Sequence, residues 1–304
     1  MTESLRTRVV AVYRRLWAYV LPHKTIGIIA LVAMAATAII EMSLVAMVEP
    51  LMDEALVSLA HVFFESGDHR TLVKVSGGDF LELLCAYTGY EMALPMNTGA
   101  EAVETAMKAA RKWAYTVKGV AADQAEIIAC EGNFHGRTIA IVGLSSEAQY
   151  REGFGPFPPG LKTVPYADAD ALEAAITSNT AAFIVEPMQG EGGIIIPPRG
   201  YLARCQEICK KHSVLLICDE VQTGLGRTGR MLASQHEGVV PDGLVLGKAL
   251  GGGILPVSMF LARREVMAVF RPGDHGSTFG GNPLAAAVGL EALRILEDED
   301  LARQ

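Results

Sequence analysis

Asp219 and Lys248 are the two residues of this chain whose types and setting most directly suggest chemistry. Asp219 follows an apolar run, Val214-Leu-Leu-Ile-Cys218, and Lys248 follows a second, Leu244-Val-Leu246, across Gly247. Short apolar runs bounded by turn residues are the pattern of strands buried on both faces of a parallel sheet. In open α/β sheets ligands collect at the carboxyl ends of such strands, so both side chains would reach one rim. Either charge alone reads simply as a solvated strand end. Together they offer an amine that can condense with an aldehyde and a carboxylate that can hold a proton on a pyridine nitrogen. Pyridoxal phosphate requires those two groups of its protein.

Further candidates lie beyond other apolar runs. Glu126-Ile-Ile-Ala-Cys130 reads as a strand, and the loop after it carries Phe134 and His135. An aromatic there is either core or a stacking face, and a lone histidine is usually a polar contact. Ala181-Ala-Phe-Ile-Val185 reads as another strand, followed by Glu186 and Glu191, which on their own would be rim charges. Thr98-x-x-Glu101 fits a capping box opening a long helix to about Val117, with Ala102, Ala106, Ala109, Ala110 and Trp113 as its apolar stripe. The N–H groups at such a helix start, approachable through the small Gly99 and Ala100, can seat a phosphate. Gly224-x-Gly226-x-x-Gly229 satisfies a dinucleotide-binding pattern, but the strand ends too early and no helical periodicity follows, so that reading is rejected.

Asp219-Glu-Val-Gln-Thr-Gly-Leu-Gly-Arg-Thr-Gly229, Gly247-Lys-Ala-Leu-Gly-Gly252 and His275-Gly-Ser-Thr-Phe-Gly-Gly-Asn-Pro283 resemble class III (fold-type I) pyridoxal-phosphate aminotransferases. Within that class, Ala93-Leu-Pro-Met-Asn-Thr-Gly-Ala-Glu-Ala-Val-Glu-Thr-Ala106 and Gly153-Phe-Gly-Pro-Phe-Pro-Pro-Gly160 are most similar to the ornithine aminotransferases, with the acetylornithine aminotransferases as the neighbouring alternative. The resemblance implies an amino donor and a 2-oxo acid as substrates, L-ornithine yielding glutamate semialdehyde. It implies that Lys248 carries the cofactor and moves the substrate proton, that Asp219 keeps the ring nitrogen protonated, and that Gln222 bonds the phenolic oxygen. Phe134 would stack on the ring, Gly99 and Ala100 would hold the phosphate, and Glu186 would lie near the cofactor's rim. Glu191 would be a gate that pairs with an arginine in one half-reaction. Thr278 would reach the cofactor phosphate of a neighbouring subunit, which makes a homodimer the expected assembly.

These groups need an α/β scaffold, and the resemblance implies the family's large domain: a mostly parallel, seven-stranded sheet with helices on both faces. Helices are expected over Phe80–Thr88 and Pro283–Glu297, and a further strand over 256–262. Gly153–Gly160 reads as an ordered surface loop.

With 304 residues, half of them hydrophobic, the chain can bury a sizeable core. Its net charge of −8 offers no basic face for nucleic acid. The five cysteines form no metal-type pattern and read as buried small side chains.

The N-terminal region has another character. Residues 26–48 are apolar enough to span a bilayer, about 35 Å as a helix at ~1.5 Å per residue. Arg6, Arg8, Arg14, Arg15 and Lys24 precede them, which would keep the N-terminus in the cytoplasm. A buried core helix is the alternative. Residues 1–57 are similar to the first transmembrane segment of ABC exporters of the lipid-flippase type, and 58–79 read as a junction. The expectation is therefore a fusion: a cytoplasmic aminotransferase body, 80–304, lacking the family's small domain, with residues 26–48 as a candidate membrane tether. Such a chain is expected to turn ornithine over poorly; a non-catalytic remnant is the competing class.

Overall fold

Seven short strands, the central ones apolar on both faces, assemble into one sheet in the order β1-β7-β6-β5-β4-β2-β3. They are β1 (Met92–Met96), β2 (Glu126–Cys130), β3 (Leu161–Val164), β4 (Thr180–Val185), β5 (Leu215–Asp219), β6 (Gly243–Leu246) and β7 (Ser258–Ala262). Only β7 runs against its neighbours, pairing antiparallel with both β1 and β6. This computed structural model describes residues 78–303, all within one contact unit, His61–Gln304. The candidate span 26–48, the exporter-like segment 1–57 and nearly all of the junction 58–79 lie outside the described residues. No described helix is long and apolar enough to cross a membrane.

Every residue of β4, β5, β6 and β7 is buried. Alternate residues therefore feed two cores, one on each face of the sheet. Ile128, Phe183, Leu216 and Leu244 join one core. Ile127, Ile184, Ile217 and Val245 join the other. Helix α2 (Gly99–Trp113) covers the second face, and its stripe of Ala102, Ala106, Ala109 and Ala110 is fully buried. Alanines let the helix axis lie close to the strands, and the helix runs on into a π-turn over Ala114–Lys118. On the first face lie α1 (Gly78–Thr88), α4 (Tyr201–Lys211) and α5 (Pro283–Asp298), while α3 (Ala169–Ala175) packs beside α4.

The expected sheet, its mostly parallel sense and most of its strands match the structure. Two strands were not anticipated. β1 lies within a stretch read as one motif, and its Pro95 is tolerated because β1 is an edge strand. β3 follows directly on the Gly- and Pro-rich loop, whose turn residues mask its short apolar pattern. Thr223–Gly229 forms turns rather than a helix, as the rejection of the dinucleotide motif requires.

Sequence neighbours β3 and β4 lie on opposite sides of β2, and from β4 the chain proceeds strand by strand towards β7. Because β2, β4, β5 and β6 run parallel, the loops after them gather along one end of the sheet, and the strand order reverses at β2.

Helix α5 lies against α1 at Gly289, where an added Cβ would come within 2.7 Å of the buried Phe80 ring. Gly289→Ala, which in an open helix would stabilise by up to about 1 kcal/mol, should here destabilise by about 1 kcal/mol or more. A lowered urea midpoint is the expected result; a raised one would show that Phe80 moves aside freely.

Candidate active site

The site is built on the end of β5. Asp219, 5% exposed, is the last residue of that strand. One of its oxygens accepts the Val221 N–H at 3.1 Å, and the other lies 2.7 Å from His135 Nδ1. His135 is itself buried, and its remaining ring nitrogen, Nε2, has no hydrogen-bond partner among the described residues. Burial alone would lower the imidazole pKa, but the hydrogen bond and charge of Asp219, with the charge of Glu186, raise it. The buried Asp219 carboxylate thus favours the protonated form of the ring.

Glu186 stands just beyond β4, 6% exposed, and accepts the Phe134 N–H at 3.0 Å. Burial pushes its carboxyl up to about 7; the neighbouring His135 and the amides of Phe134 and Gly190 pull the other way without cancelling that effect. Phe134 meets Tyr150 edge to face at 6.1 Å between centroids. The Arg137 guanidinium lies over both rings, 5.2 and 4.2 Å from their centres.

At the start of α2 the predicted capping box is present in full. Thr98 Oγ1 accepts the Glu101 N–H, while Glu101 accepts the N–H groups of Asn97 and Thr98 at 2.8 and 2.9 Å. The N–H groups of Gly99 and Ala100 have no intrahelical acceptor by helix geometry, and both residues line the cavity. Gly99 lies close against Val221, and an added Cβ would come within 3.1 Å of that side chain, which would have to shift by a few tenths of an ångström. A Cβ at Gly247 would touch the same Val221 at 3.3 Å, so helix start and lysine loop close on one side chain.

Lys248 follows β6 with φ 44°, a left-handed conformation that an L-residue adopts at a cost of order 1–3 kcal/mol. Its side chain is half exposed, and Nζ lies 3.8 Å from Glu191 Oε1. Gln222 packs against Gly190 so closely that a Cβ there would collide with its amide oxygen.

These residues enclose one cavity of about 340 Å³, within the range of small-molecule sites. Lys248, Asp219, Gln222, Phe134, Glu186, Gly99 and Ala100 all line it. Glu191 and Thr278 do not; Glu191 stands outside beside Lys248, and Thr278 is exposed in the 275–283 loop. His135 lines the cavity as Asp219's partner, although an isolated histidine in the sequence gave no reason to choose it. Its position directly after Phe134 was the available signal. Met188, Val221, Pro256 and Val257 supply apolar wall that the motifs did not mark.

The donor set fits pyridoxal phosphate. Unclaimed amides at a helix start suit a dianion, and a buried carboxylate with spare lone pairs suits a ring N–H. A flat aromatic suits the ring face, and a lysine within the same walls suits the aldehyde.

A family model described as Aminotransferase class-III matches residues 47–304, beginning upstream of the motifs read from Phe80 onward. The ornithine aminotransferase of Bacillus subtilis (strain 168) is 63% identical over 225 residues, covering 74% of this chain and 56% of that protein. A structure of Toxoplasma gondii ornithine aminotransferase, reported with partial occupancy of PLP at its active site, has a TM-score of 0.74. It is 52% identical, covering 75% of this chain and 54% of that one. An acetylornithine aminotransferase from Elizabethkingia anophelis has a TM-score of 0.65 at 47% identity, with 75% and 54% covered. This chain spans about half the length of the relatives it matches. With well over half of its residues matched by one family model, the chain belongs to the class-III aminotransferases.

Proposed function

We propose that the cavity holds pyridoxal phosphate on Lys248 and supports transfer of the δ-amino group of L-ornithine to a 2-oxo acid. The convergence of Asp219, Phe134, Lys248 and the Gly99 and Ala100 amides on a single cavity carries this reading. The identity to ornithine aminotransferases supports the choice of donor. The likeness to an acetylornithine aminotransferase makes N-acetylornithine the second candidate.

When bound, the cofactor supplies an electron-withdrawing ring that stabilises negative charge at the carbon bearing the transferred amine. Asp219 holds a proton at the ring nitrogen, and His135 fixes the carboxylate's orientation and shares its charge. Phe134 sets the ring plane, with Glu186 anchoring its backbone amide. The amides of Gly99 and Ala100 bind the phosphate, and Gln222 donates to the phenolic oxygen. Lys248 Nζ, on the same cavity wall, would hold the aldehyde carbon and would be the base within reach of the substrate proton. Glu191, at the mouth beside Lys248, has the gating role that the family resemblance gives it. Thr278, facing outward, reaches the phosphate held by a second copy of the chain in a homodimer. The aminotransferase body itself is cytoplasmic in this reading.

Reconstitution with pyridoxal phosphate should give a visible absorption band, and borohydride should fix the label on the chain. Lys248→Ala should abolish that covalent label; equal labelling of the variant would refute the assignment. Turnover of L-ornithine and N-acetylornithine, compared side by side, separates the two donors, with ornithine expected to have the higher kcat/KM.

Glu186 generates a pH prediction. Its folded pKa, about 7, is raised above the ordinary 4.5, so its contribution to stability is fully present below 4.5 and is lost as pH rises through 7. The loss is on the order of 3 kcal/mol. Glu186→Gln keeps an acceptor for the Phe134 amide but cannot ionise. The variant's melting temperature should therefore fall less than the parent's between those two pH values; parallel curves would contradict it.

A further inference from the structure

The polar face of α2 has a function that the cavity does not use. Glu101, Thr105, Lys108 and Lys112 recur at i, i+4, i+7 and i+11, so they form one stripe along the helix. The segment 271–278 lies along that stripe and is held at successive levels. Lys112 pairs with Asp274, which also accepts the Arg271 N–H at 2.8 Å. His275 Nδ1 lies 2.8 Å from Lys108 Nζ, and its Nε2 lies 2.7 Å from Thr105 Oγ1. At the cavity edge, Asn97 Nδ2 donates to Ser277 Oγ at 2.8 Å.

The hydrogen bonds fix the state of His275. Thr105 spends its hydroxyl proton on the Glu101 carbonyl, one turn back, at 2.7 Å. It can therefore only accept from His275, which places the ring proton on Nε2 and leaves Nδ1 bare. The bare nitrogen accepts from the Lys108 ammonium. The ring face is occupied too, stacked on Phe270 at 5.3 Å and 20°. A neutral imidazole in one tautomer satisfies all three contacts; a protonated one would point N–H at an ammonium. Partial burial, then the Lys108 charge, lower the His275 pKa, in agreement with that geometry. The charged groups around the ring are Lys108 and Lys112 of α2 and Arg271 and Asp274 of the loop itself.

We propose that His275 is a positioning residue: it fastens the 271–278 loop to α2 of its own chain so that Thr278 is presented to the phosphate site of a second copy. The proposal rests on the assignment of Thr278 above. It joins two phosphate contacts through one helix, because α2 offers its first N–H groups to its own cavity and its polar stripe to the loop that serves the other.

Two substitutions of the full chain separate the polar role from mere filling. His275→Gln supplies one donor and one acceptor and cannot titrate. His275→Phe keeps a ring on Phe270 and loses both hydrogen bonds. Amide hydrogen exchange over 271–279 at one fixed pH, without added cofactor, should be about tenfold faster in His275→Phe and near the parent rate in His275→Gln. Equal rates in parent and Phe variant would overturn the proposal, whatever the chain does with cofactor. The affinity for pyridoxal phosphate should fall about tenfold in both His275→Phe and Thr278→Val, and the double variant should lose little more, since both act through one contact. Additive losses would overturn the positioning role. If Thr278→Val alone changes nothing, the assignment of Thr278 fails, and a loss in His275→Phe would then count against the proposal as well. In the fold, protonation of His275 is held below the ordinary imidazole value of 6.5, so the parent's affinity should begin to weaken only as pH falls further, through that lowered value. The Gln variant should not share that weakening, and an identical decline in both would overturn it.

Discussion

A carboxylate buried at the end of a central strand is the constraint around which the surrounding loops are arranged. An unpaired charge in that position would cost several kcal/mol, and packing alone cannot offset it. Asp219 meets the cost with one backbone donor and one histidine, and both come from loops that must then stay in place. His135 can reach Asp219 only because β2 and β5 flank β4 in the same sheet. Glu186, on the strand between them, adds a third ionisable group whose charge favours a protonated His135. The three groups therefore share their charge, and the loops after β2, β4 and β5 are electrostatically tied before any ligand arrives.

The second constraint is close approach. Val221 sits between the first turn of α2 and the loop of Lys248, and both sides meet it at glycines. A side chain at Gly99 or Gly247 would press on Val221 from one side or the other, so the spacing between the phosphate amides and the lysine loop depends on how far that side chain can give. Lys248 accepts a left-handed backbone in the same tight turn. On either side of it, the Leu250 N–H donates to the Gly247 carbonyl at 3.0 Å, and Leu250 is fully buried. Local strain and missing side chains thus serve one geometry.

The fold was legible wherever a strand was short, apolar and bounded by turns, as in β4, β5 and β6. It was illegible where turn chemistry overlapped the strand, as in β3, or where proline stood inside it, as in β1. The site residues on the cavity wall were legible from their positions after strands and from the family motifs. The pairing of His135 with Asp219 was not, because it joins two strand ends that are distant in sequence and come within reach, across β4, only through the strand order. The tie between His275 and α2 was hidden for the same reason. Periodicity marks Thr105, Lys108 and Lys112 as one helical face, but nothing local says what lies across from it.

Asp219 and Glu220 illustrate how adjacent, chemically similar residues acquire different functions. A strand sends successive side chains to opposite sides, so two neighbouring acids cannot both face the cavity. Asp219 faces it. Glu220, 1% exposed, turns the other way and accepts the N–H groups of Ala233 and Ser234 at 2.6 and 3.0 Å, with the Thr223 hydroxyl at 3.3 Å. Burial raises its pKa even against those donors. Its three bonds close the glycine-rich turns between Thr223 and Gly229 into a fixed loop, and Gln222 departs from the root of that loop towards the cavity. The longer side chain is the one that must bridge to a distant backbone, and the shorter one is the one that must stay rigid at the strand end. The order of the two acids therefore follows from reach as well as from the pleat, and exchanging them would leave both sets of donors unmet.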